Sequence, residues 1–267
     1  LLERKGARTA FIATRGFADL LVLGRGERAD LYDLEPQPRV TLVPSEWCVE
    51  VDERIGADGQ VVRALSNRAR ASAARAVCAL GVEAVAACLL FSYLDPTHER
   101  AVGAALSDAG FAGHVSLSVD VLPEVREYER ASTTVANAYV APHVSRYLAR
   151  LAAALAPRDL AIMGSHGGLL RPSVAARLPV STVLSGPAAG VLGALTVARL
   201  AGRDRILSFD MGGTSTDVAL CDGDVPFAHA IAVGGVPVHR PAVDVHTVGA
   251  GGGSIVRADP AGALRVG

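Results

Sequence analysis

The first half of the chain has apolar runs that predict alternating strands and helices. Residues 9–14 form an apolar-rich run that predicts a strand, and residues 82–93 contain a continuous apolar run suited to a buried parallel strand. Between them, 66–81 has a serine N-cap, an alanine-rich body and a terminal glycine, and therefore predicts a helix. A second helix over 96–109 and an alternating strand over 115–121 complete a pattern typical of an α/β fold.

The second half of the chain begins with a pattern that predicts a longer helix. Apolar spacing over 123–155 predicts one long helix or two nearly continuous ones, kinked or divided at Pro142. Residues 160–163 predict a short buried strand, and residues 185–190 are expected to precede an apolar helix that ends near residue 200. The last clear feature is a β-hairpin whose two strands flank the polar loop 210–217.

That loop carries the strongest chemical signal of the chain. It combines two acids, two glycines and two threonines: Asp210, Gly212, Gly213, Thr214, Thr216 and Asp217. Adjacent glycines let backbone N–H groups approach an anion, and successive N–H groups in a tight turn form an anion-binding concavity. The threonine hydroxyls can donate to phosphate oxygens, and the flanking aspartates are placed to hold hydrated Mg²⁺ against them. An ordinary hairpin turn is the alternative reading.

Composition excludes several classes of protein. Half of the 267 residues are hydrophobic and the formal net charge is −1, which argues against disorder and against an electrostatic nucleic-acid binder. Lys5 is the only lysine and follows no glycine-rich turn, so a P-loop is excluded. No apolar run is long enough for a membrane span, and four widely spaced cysteines suit reduced thiols in a cytoplasmic protein.

Two further segments are candidates for ligand contacts. Backbone amides of 185–190, with Gly186 among them, would face an anion if they begin a helix; a tight glycine contact is the alternative. Asp244 and His246 alternate along an extended segment, so both side chains share a face and suit a divalent metal or substrate. The glycine-rich turn 249–254 follows, and a surface strand with a flexible turn is the bland alternative.

The loop 210–217 resembles a phosphate loop of the actin, Hsp70 and sugar-kinase superfamily. With it, the chain carries further segments in the order seen in the hydantoinase A/5-oxoprolinase family, which includes N-methylhydantoinase A subunits and beta-type acetone carboxylase subunits. These segments are 14–19 (TRGFAD), 30–34 (DLYDL), 126–130 (REYER), 165–168 (SHGG), 185–190 (SGPAAG) and 249–254 (GAGGGS). The resemblance covers nearly the whole chain.

The resemblance implies an α/β fold with an actin-like ATPase, ribonuclease-H-like core, here truncated at both ends. Residues 1–125 would be a truncated N-terminal region, and residues 126–267 would begin the hydantoinase A region. ATP and Mg²⁺, or another divalent metal, are the implied cofactors. Three sets of site residues follow. The catalytic set is Asp210, Asp244 and His246; the nucleotide-binding set is Gly186, Gly212, Gly213, Thr214, Thr216, Gly251 and Gly252; the metal-binding set is Asp210, Asp217, Asp244 and His246.

The implied activity of the parent protein is ATP-dependent hydrolysis of a cyclic amide, such as 5-oxoproline or a hydantoin, through a phosphorylated intermediate. A hydantoinase B-type partner subunit or domain is expected, and no nucleic acid or membrane. An ATP-dependent carboxylase subunit is the first alternative, and a non-catalytic actin-like nucleotide-binding module is the second. Family members carry another phosphate loop near the N-terminus that this chain lacks, so the fragment alone is expected to be inactive.

Overall fold

The computed structural model describes residues 1–27, 32, 34–35, 39 and 41–266. Three residues of the motif 30–34, namely Asp30, Leu31 and Asp33, therefore lie outside the described residues. The chain divides into two compact units. Unit 1 consists of Leu1–Leu160, Pro172–Val180 and Ala230–Arg240, and unit 2 consists of Ala161–Arg171, Ser181–His229 and Pro241–Gly267. The predicted boundary between 1–125 and 126–267 stays a prediction about family regions.

Helices and strands alternate through much of the chain. The helices are α1 (Leu20–Leu23), α2 (Asn67–Ala79), α3 (Thr97–Asp108), α4 (Ser118–Val121), α5 (Glu127–Leu155), α6 (Pro172–Arg177) and α7 (Ser185–Leu200), with 3₁₀ turns at Ser45–Trp47 and Pro179–Thr182. The strands are β1 (Thr9–Thr14), β2 (Cys48–Val51), β3 (Arg54–Ile55), β4 (Val61–Arg63), β5 (Ala84–Cys88), β6 (His114–Leu117), β7 (Ile162–Met163), β8 (Leu169–Leu170), β9 (Arg205–Met211), β10 (Thr216–Asp222), β11 (Phe227–Ala228), β12 (Ile231–Val233), β13 (Val236–Val238), β14 (Ala242–Val243), β15 (His246–Val248), β16 (Val256–Ala258) and β17 (Leu264–Val266).

Unit 1 is built on a four-stranded sheet in the order β2-β1-β5-β6, in which every neighbouring pair is parallel. The predicted strands at 9–14 and within 82–93 are confirmed as β1 and β5. All residues of both strands are buried, as expected for a parallel sheet with helices on both faces. The fold is therefore mixed α/β with a parallel sheet.

The alternation of side chains along β1 and β5 supplies two separate cores. One face, which includes Ile12 and Val85, packs against Val77 of α2 and Leu106 of α3. The other face includes Phe11 and packs against α5 through three small or branched side chains, Ala131, Val135 and Ala138. Burial of these two apolar faces, at about 25 cal/mol per Å², is what holds the three layers of unit 1 together.

The helix predicted over 66–81 is confirmed as α2. The Ser66 side chain accepts a hydrogen bond from the amide of Ala69 at 3.1 Å, which satisfies one unpaired donor of the first turn. Gly81 follows the helix with φ +60°, a conformation that glycine adopts without steric cost.

The strand predicted over 115–121 is shorter than the alternation suggested. β6 ends at Leu117, and the chain turns at once into α4. The carboxylate of Glu99, which is completely buried, accepts hydrogen bonds from the Ser118 hydroxyl and the Val119 amide, both at 2.9 Å. These contacts with a residue on α3 outweigh the local strand preference.

Of the two forms predicted for 123–155, the single long helix is confirmed, and Pro142 does not divide it. α5 runs unbroken from Glu127 to Leu155. Its first half is buried against the sheet, and the Asn137 side chain also donates to the Arg177 carbonyl at 3.1 Å and accepts from the Val180 amide at 3.2 Å. This tertiary packing outweighs the loss of one helical hydrogen bond at the proline.

Arg130 on α5 is a buried cation held by the ends of several segments. Its Nη2 donates to the Leu89 carbonyl at 2.5 Å, its Nη1 to the Glu124 carbonyl at 3.2 Å, and its Nε to the Cys88 sulfur at 3.3 Å. The guanidinium also lies 5.1 Å from the centre of the Tyr93 ring. Hydrogen bonds and a cation–π contact thus replace the water that the charge has lost.

Unit 2 contains a three-stranded antiparallel sheet in the order β15-β10-β9. α7 packs on one face of it through Val191 and Leu195, which meet Ala219 and Cys221 of β10. The predicted end of this helix near residue 200 is confirmed. However, the helix begins at Ser185, so the segment 185–190 forms its first turns rather than preceding them.

All four cysteines are free, as the sequence suggested. Cys88 and Cys221 are buried, Cys48 is half-buried and Cys78 is exposed. Across the described residues, no helix combines the length and the apolar character that crossing a membrane requires.

Candidate phosphate-binding site

The polar loop is the tip of the hairpin formed by β9 and β10. The two strands pair along their whole length, from Met211 opposite Thr216 to Arg205 opposite Asp222. The amide of Gly212 donates to the Ser215 carbonyl at 2.9 Å and closes the four-residue tip. The predicted hairpin with a glycine-rich tip is therefore confirmed.

Two successive amides at this tip are available to a ligand. The N–H groups of Gly213 and Thr214 donate no hydrogen bond within the part of the chain that the structure describes, and both residues are exposed. Adjacent unsatisfied amides in a turn form a small positive concavity that suits phosphate oxygens. The Thr214 hydroxyl can add a third donor beside them.

Asp210 and Asp217 lie directly opposite each other across β9 and β10. Side chains at such positions have Cβ atoms about 4.5–5.5 Å apart, so two carboxylates there repel each other unless a cation or proton intervenes. Both lie on the face that α7 covers, because Asp217 is two residues from Ala219, which packs on α7, and Asp210 is the direct partner of Asp217. A Cβ atom added at Gly190 of α7 would lie 3.6 Å from Oδ2 of Asp210.

A cavity of about 220 Å³ lies between α7 and the hairpin, next to the two carboxylates. Helix residues form one wall and strand residues the other: Pro187, Gly190, Val191, Ala194, Ser208, Phe209, Asp210 and Asp217. On the helix side, Gly190 has no side chain and Ala194 has only a methyl group, which leaves this space open. The acidic pair therefore faces an accessible space rather than a packed core.

Thr247 is a residue that the sequence analysis missed. Its hydroxyl donates to Oδ1 of Asp217 at 2.6 Å, and the two residues are directly paired between β15 and β10. The bond fixes one oxygen of the carboxylate and leaves the other for a ligand. The segment 244–247 was singled out from the sequence, but the register of β15 was needed to identify which of its residues faces Asp217.

The glycine-rich turn packs on the hairpin tip from behind. The amides of Gly252 and Gly253 donate to the carbonyls of Gly212 and Gly213, each at 2.9 Å. A Cβ at Gly251 would lie only 2.6 Å from the Gly212 carbonyl oxygen and 2.7 Å from the Thr214 nitrogen. Backbone meets backbone here, so only glycine fits.

These contacts change what three predicted nucleotide-binding residues can do directly. The amide of Gly251 donates to the Ser254 hydroxyl at 3.0 Å, and that of Gly252 is used on Gly212. The hydroxyl of Thr216 donates to the Ala250 carbonyl at 2.6 Å. In this arrangement the three residues support the loop, while Gly213 and Thr214 supply the donors. Their predicted roles in phosphate binding stay predictions.

The structure separates the predicted metal-binding residues. His246 pairs with Val218, one position away from the Asp217–Thr247 pair, so its side chain lies on the sheet face opposite the two aspartates. Asp244 lies just before β15 and is exposed. Among the described residues, no three histidine, cysteine, aspartate or glutamate side chains are grouped as ligands of one metal ion.

Two carboxylates nevertheless fit the way in which Mg²⁺ is usually bound with nucleotides. The ion commonly takes one or two carboxylates and completes its octahedron with water and phosphate oxygens. Asp210 and Asp217 provide such a pair, and their mutual repulsion gives a cation a favourable place. The residues present therefore fit Mg²⁺ bound together with phosphate, without His246.

The start of α7 contributes little to anion binding by its amides. Pro187 has no N–H, and the amide of Ala188 donates to the Leu184 carbonyl at 3.2 Å. Only the first two amides of the helix, those of Ser185 and Gly186, then remain for the predicted contact. The role of Gly186 in nucleotide binding stays a prediction.

Comparison with known families identifies matches over most of the chain. The family model described as Hydantoinase/oxoprolinase matches residues 130–267. A second model, described as Hydantoinase/oxoprolinase N-terminal region, matches residues 1–110.

Two curated relatives illustrate the similarity. The chain is 35% identical over 287 residues to 5-oxoprolinase of Saccharomyces cerevisiae, covering 96% of this chain and 22% of that protein. It is 34% identical over 279 residues to caprolactamase subunit alpha of Pseudomonas jessenii, covering 100% of this chain and 39% of that protein. The chain thus spans about a fifth to two fifths of the length of these relatives.

Solved structures agree with the sequence matches. The crystal structure of ATP-dependent caprolactamase from Pseudomonas jessenii matches with a TM-score of 0.87 and 32% identity, over 99% of this chain and 39% of that one. A nucleotide-free structure of acetone carboxylase, described as an enzyme of ATP-dependent acetone carboxylation, matches with a TM-score of 0.83 and 30% identity, over 100% of this chain and 40% of that one.

Proposed function

The chain belongs to the hydantoinase/oxoprolinase family, and from this premise we propose that its parent protein uses ATP to hydrolyse a cyclic amide. The observation that carries the proposal is the hairpin tip, where the free amides of Gly213 and Thr214 lie beside the opposed carboxylates of Asp210 and Asp217. The names of two relatives, 5-oxoprolinase and ATP-dependent caprolactamase, support a lactam as substrate.

An amide is a poor electrophile, and phosphorylation of its oxygen solves that problem. In the proposed sequence the lactam oxygen attacks the γ-phosphorus of ATP, a new P–O bond forms, and ADP leaves. Water then adds to the activated ring carbon, and the C–N bond breaks as the nitrogen takes a proton, which gives an acyl phosphate. A second water releases inorganic phosphate and the open-chain amino acid.

The residues of unit 2 act on the phosphate part of this sequence. The Gly213 and Thr214 amides and the Thr214 hydroxyl would hold phosphate oxygens and stabilise the charge that develops during transfer. Asp210 and Asp217 would hold Mg²⁺, which neutralises phosphate charge when bound. Thr247 would orient the Asp217 carboxylate for that task. The predicted catalytic roles of Asp244 and His246, toward substrate, remain part of the proposal.

The tip and its acidic pair also support the proposed actin-like, ribonuclease-H-like core. A phosphate loop between two antiparallel strands is the arrangement that the resemblance implied, and unit 2 has this hairpin with a helix on one face. The word subunit in the name of the Pseudomonas jessenii relative supports a hydantoinase B-type partner. A cytoplasmic location stays a prediction.

An ATP-dependent carboxylase subunit is the second candidate. The acetone carboxylase structure matches the chain almost as well as the caprolactamase structure does, with TM-scores of 0.83 and 0.87. The same phosphate-binding residues would serve either reaction, because each begins with phosphoryl transfer to an oxygen. The difference lies in the acceptor, which is an enolic or bicarbonate oxygen in the carboxylase.

The test is phosphate release from Mg-ATP by the parent protein, with its partner subunit if one copurifies. The substrates are 5-oxo-L-proline, caprolactam, hydantoin, and acetone with bicarbonate. We expect release stimulated by one cyclic amide and lost in D210N. Stimulation only by acetone with bicarbonate would select the carboxylase. Binding of ATP without stimulation by any of these substrates would contradict an enzymatic role and favour a nucleotide-binding module.

A further inference from the structure

Unit 1 contains an open cavity of about 560 Å³, and none of its lining residues belongs to the candidate phosphate-binding site of unit 2. We name it the Arg39 cavity. Charged and polar side chains line it together with the backbone of the β12–β13 hairpin: Arg25, Glu27, Arg39, Tyr128, Ala230, Ile231, Ala232, Gly235, Pro237 and His239. Its volume falls within the range of about 300–1,000 Å³ that is usual for small-molecule sites.

A small apolar recess adjoins the cavity. It holds about 30 Å³ and shares Arg39, Tyr128, Gly235 and Pro237 with the larger space. Its remaining walls are mainly aliphatic: Leu21, Thr41, Leu42, Ser132, Val135 and Val236. At about 30 Å³ the recess has room for a methyl-sized group only, so the body of a ligand has to lie in the larger space.

The β12–β13 hairpin forms one wall of the Arg39 cavity and is hydrogen-bonded to α5. The Ser132 hydroxyl donates to the Pro237 carbonyl at 2.8 Å, and the His239 amide donates to the Thr133 hydroxyl oxygen at 2.9 Å. Arg4 adds a bond from its guanidinium to the Gly234 carbonyl at 2.7 Å. These bonds tie the β12–β13 hairpin down on one side and keep the space preformed.

The two arginines of the cavity differ in availability. Arg25 directs its Nε and Nη2 onto one oxygen of Glu129, whose side chain is almost fully buried. Arg39 instead donates Nη1 to the Tyr128 hydroxyl at 2.6 Å, and its guanidinium lies 5.5 Å from the centre of that ring. Tyrosine neutralises no charge, and Arg39 forms no ion pair with any residue that the structure describes, so its guanidinium keeps a positive charge for an anionic ligand.

Gly24 makes room for this guanidinium. A Cβ atom at Gly24 would lie 2.3 Å from Nη1 of Arg39, and the residue has φ +56°, which glycine tolerates best. The position of Arg39 over Tyr128 thus depends on a glycine that could not be replaced without moving it.

Charge selects the kind of anion. Among the residues that the structure describes, and with Glu129 included, the cavity has two arginines and two glutamates, whose formal charges cancel. Burial lowers the pKa of His239, which is therefore mainly neutral at pH 7 and adds a hydrogen-bonding ring rather than a charge. Such a site accommodates one negative charge far better than two, because Glu27 on its wall repels a dianion.

We propose that the Arg39 cavity binds a small organic monocarboxylate, with the carboxylate on the Arg39 guanidinium and the body of the ligand in the 560 Å³ space beside it. Arginine pairs with carboxylates through two parallel hydrogen bonds, which fixes the orientation of the ligand as well as its charge. The inference does not depend on the proposed ATP chemistry, since none of the residues involved belongs to the hairpin tip.

The test is calorimetric titration of the chain with matched pairs of probes. 5-Oxo-L-proline is compared with 2-pyrrolidinone, which lacks its carboxylate, and cyclopentanecarboxylate is compared with cyclopentanemethanol. We expect at least one carboxylate to bind at a single site at least about tenfold more tightly than its neutral partner. Inorganic phosphate, which carries a second charge near pH 7, is expected to bind more weakly than that carboxylate.

Three variants assign the binding to the cavity. R39Q should weaken carboxylate binding at least about tenfold, and R39K should recover part of it because it restores the charge without the fork. R150Q removes an exposed arginine from the distal part of α5 and should leave the affinity unchanged. Circular dichroism checks that each variant is folded. The proposal is overturned if neither carboxylate binds better than its neutral partner, if R39Q binds as the unmodified chain does, or if phosphate is preferred.

Discussion

The tight backbone packing at Gly251 allows a sharp test of how the phosphate loop is held. Gly251 lies against the hairpin tip, and a Cβ there would be 2.6 Å from the Gly212 carbonyl oxygen and 2.7 Å from both the Gly213 carbonyl carbon and the Thr214 nitrogen. None of these atoms can rotate away, since all belong to the backbone. G251A must therefore push the glycine-rich turn off the tip.

The cost of this displacement has two parts. Over-packing of a tight contact typically costs about 1–3 kcal/mol. The hydrogen bonds from the Gly252 and Gly253 amides to the tip are then lengthened or lost, at about 0.5–1.5 kcal/mol each. We expect G251A to lower the free energy of unfolding by about 2–6 kcal/mol, measured by urea titration.

The same change should impair the proposed ligand site. Because the tip loses its support, we expect the affinity for Mg-ATP, measured by calorimetry at a temperature where G251A stays folded, to fall at least about tenfold. G252A is the matched control. Its Cβ would lie 3.8 Å from the nearest atom, an ordinary contact, so stability should change by less than about 0.5 kcal/mol. Equal behaviour of the two variants in both assays would refute the reasoning.

Three further predictions concern single side chains. T247V removes the hydroxyl that holds Asp217 and should weaken Mg-ATP binding about three- to tenfold by calorimetry, whereas T247S should not; equal losses would count against it. R130M removes the charge-assisted hydrogen bonds from the buried guanidinium to the Leu89 and Glu124 carbonyls and should lower the free energy of unfolding in urea by about 2–4 kcal/mol. Burial raises the pKa of the Cys88 thiol, so Ellman's reagent at pH 8 should label exposed Cys78 and spare Cys88 in the folded chain.

Local chemistry made the elements of this protein predictable where each element carries its own signal. The serine cap and terminal glycine of α2 lie where the sequence placed them, and the hairpin tip 212–215 follows from adjacent glycines between two apolar runs. The continuous apolar run that contains β5 predicted a buried strand of a parallel sheet. Such signals depend on neighbours in the sequence, and the structure preserves them.

Errors arose where a distant residue decides the outcome. β6 stops early because Glu99, on a different element, captures the Ser118 hydroxyl and the Val119 amide. α5 passes through Pro142 because its buried side chains contribute more than one lost helical hydrogen bond. Neither contact can be read from a local pattern, since each joins segments that only the fold brings together.

The candidate site shows the same division between local and distant information. The residues of the tip could be named from their spacing. Which side chains of β15 share a sheet face with the aspartates could not be predicted in this way. Pairing of Thr247 with Asp217 places the hydroxyl beside the carboxylate and sends His246 to the other face. A shift of one residue in that register would have exchanged the faces of these two side chains, which is why sequence reasoning missed Thr247.

The opposed aspartates provide a last prediction, because the hairpin contains its own reference pair. At one end Asp210 faces Asp217, a like-charge pair, and at the other Arg205 faces Asp222 with Nε and Oδ1 2.6 Å apart. Directly opposed charges change sheet stability by about 0.2–1 kcal/mol, with the sign of their interaction. Without metal, D210N should therefore stabilise the chain by up to about 1 kcal/mol, whereas D222N should destabilise it slightly.

Addition of Mg²⁺ with ATP should reverse the order of stability, so that the unmodified chain becomes more stable than D210N. A ligand that binds only the folded chain stabilises it by mass action, and D210N removes one of the two carboxylates proposed to hold the ion. The unmodified chain and D222N should then gain melting temperature while D210N gains little. If D210N is less stable than the unmodified chain without metal, the carboxylates do not repel each other. If it gains as much as the unmodified chain from Mg-ATP, Asp210 holds no metal. A metal–phosphate site requires a residue that lowers the stability of the free chain and raises stability only when the ligand is bound.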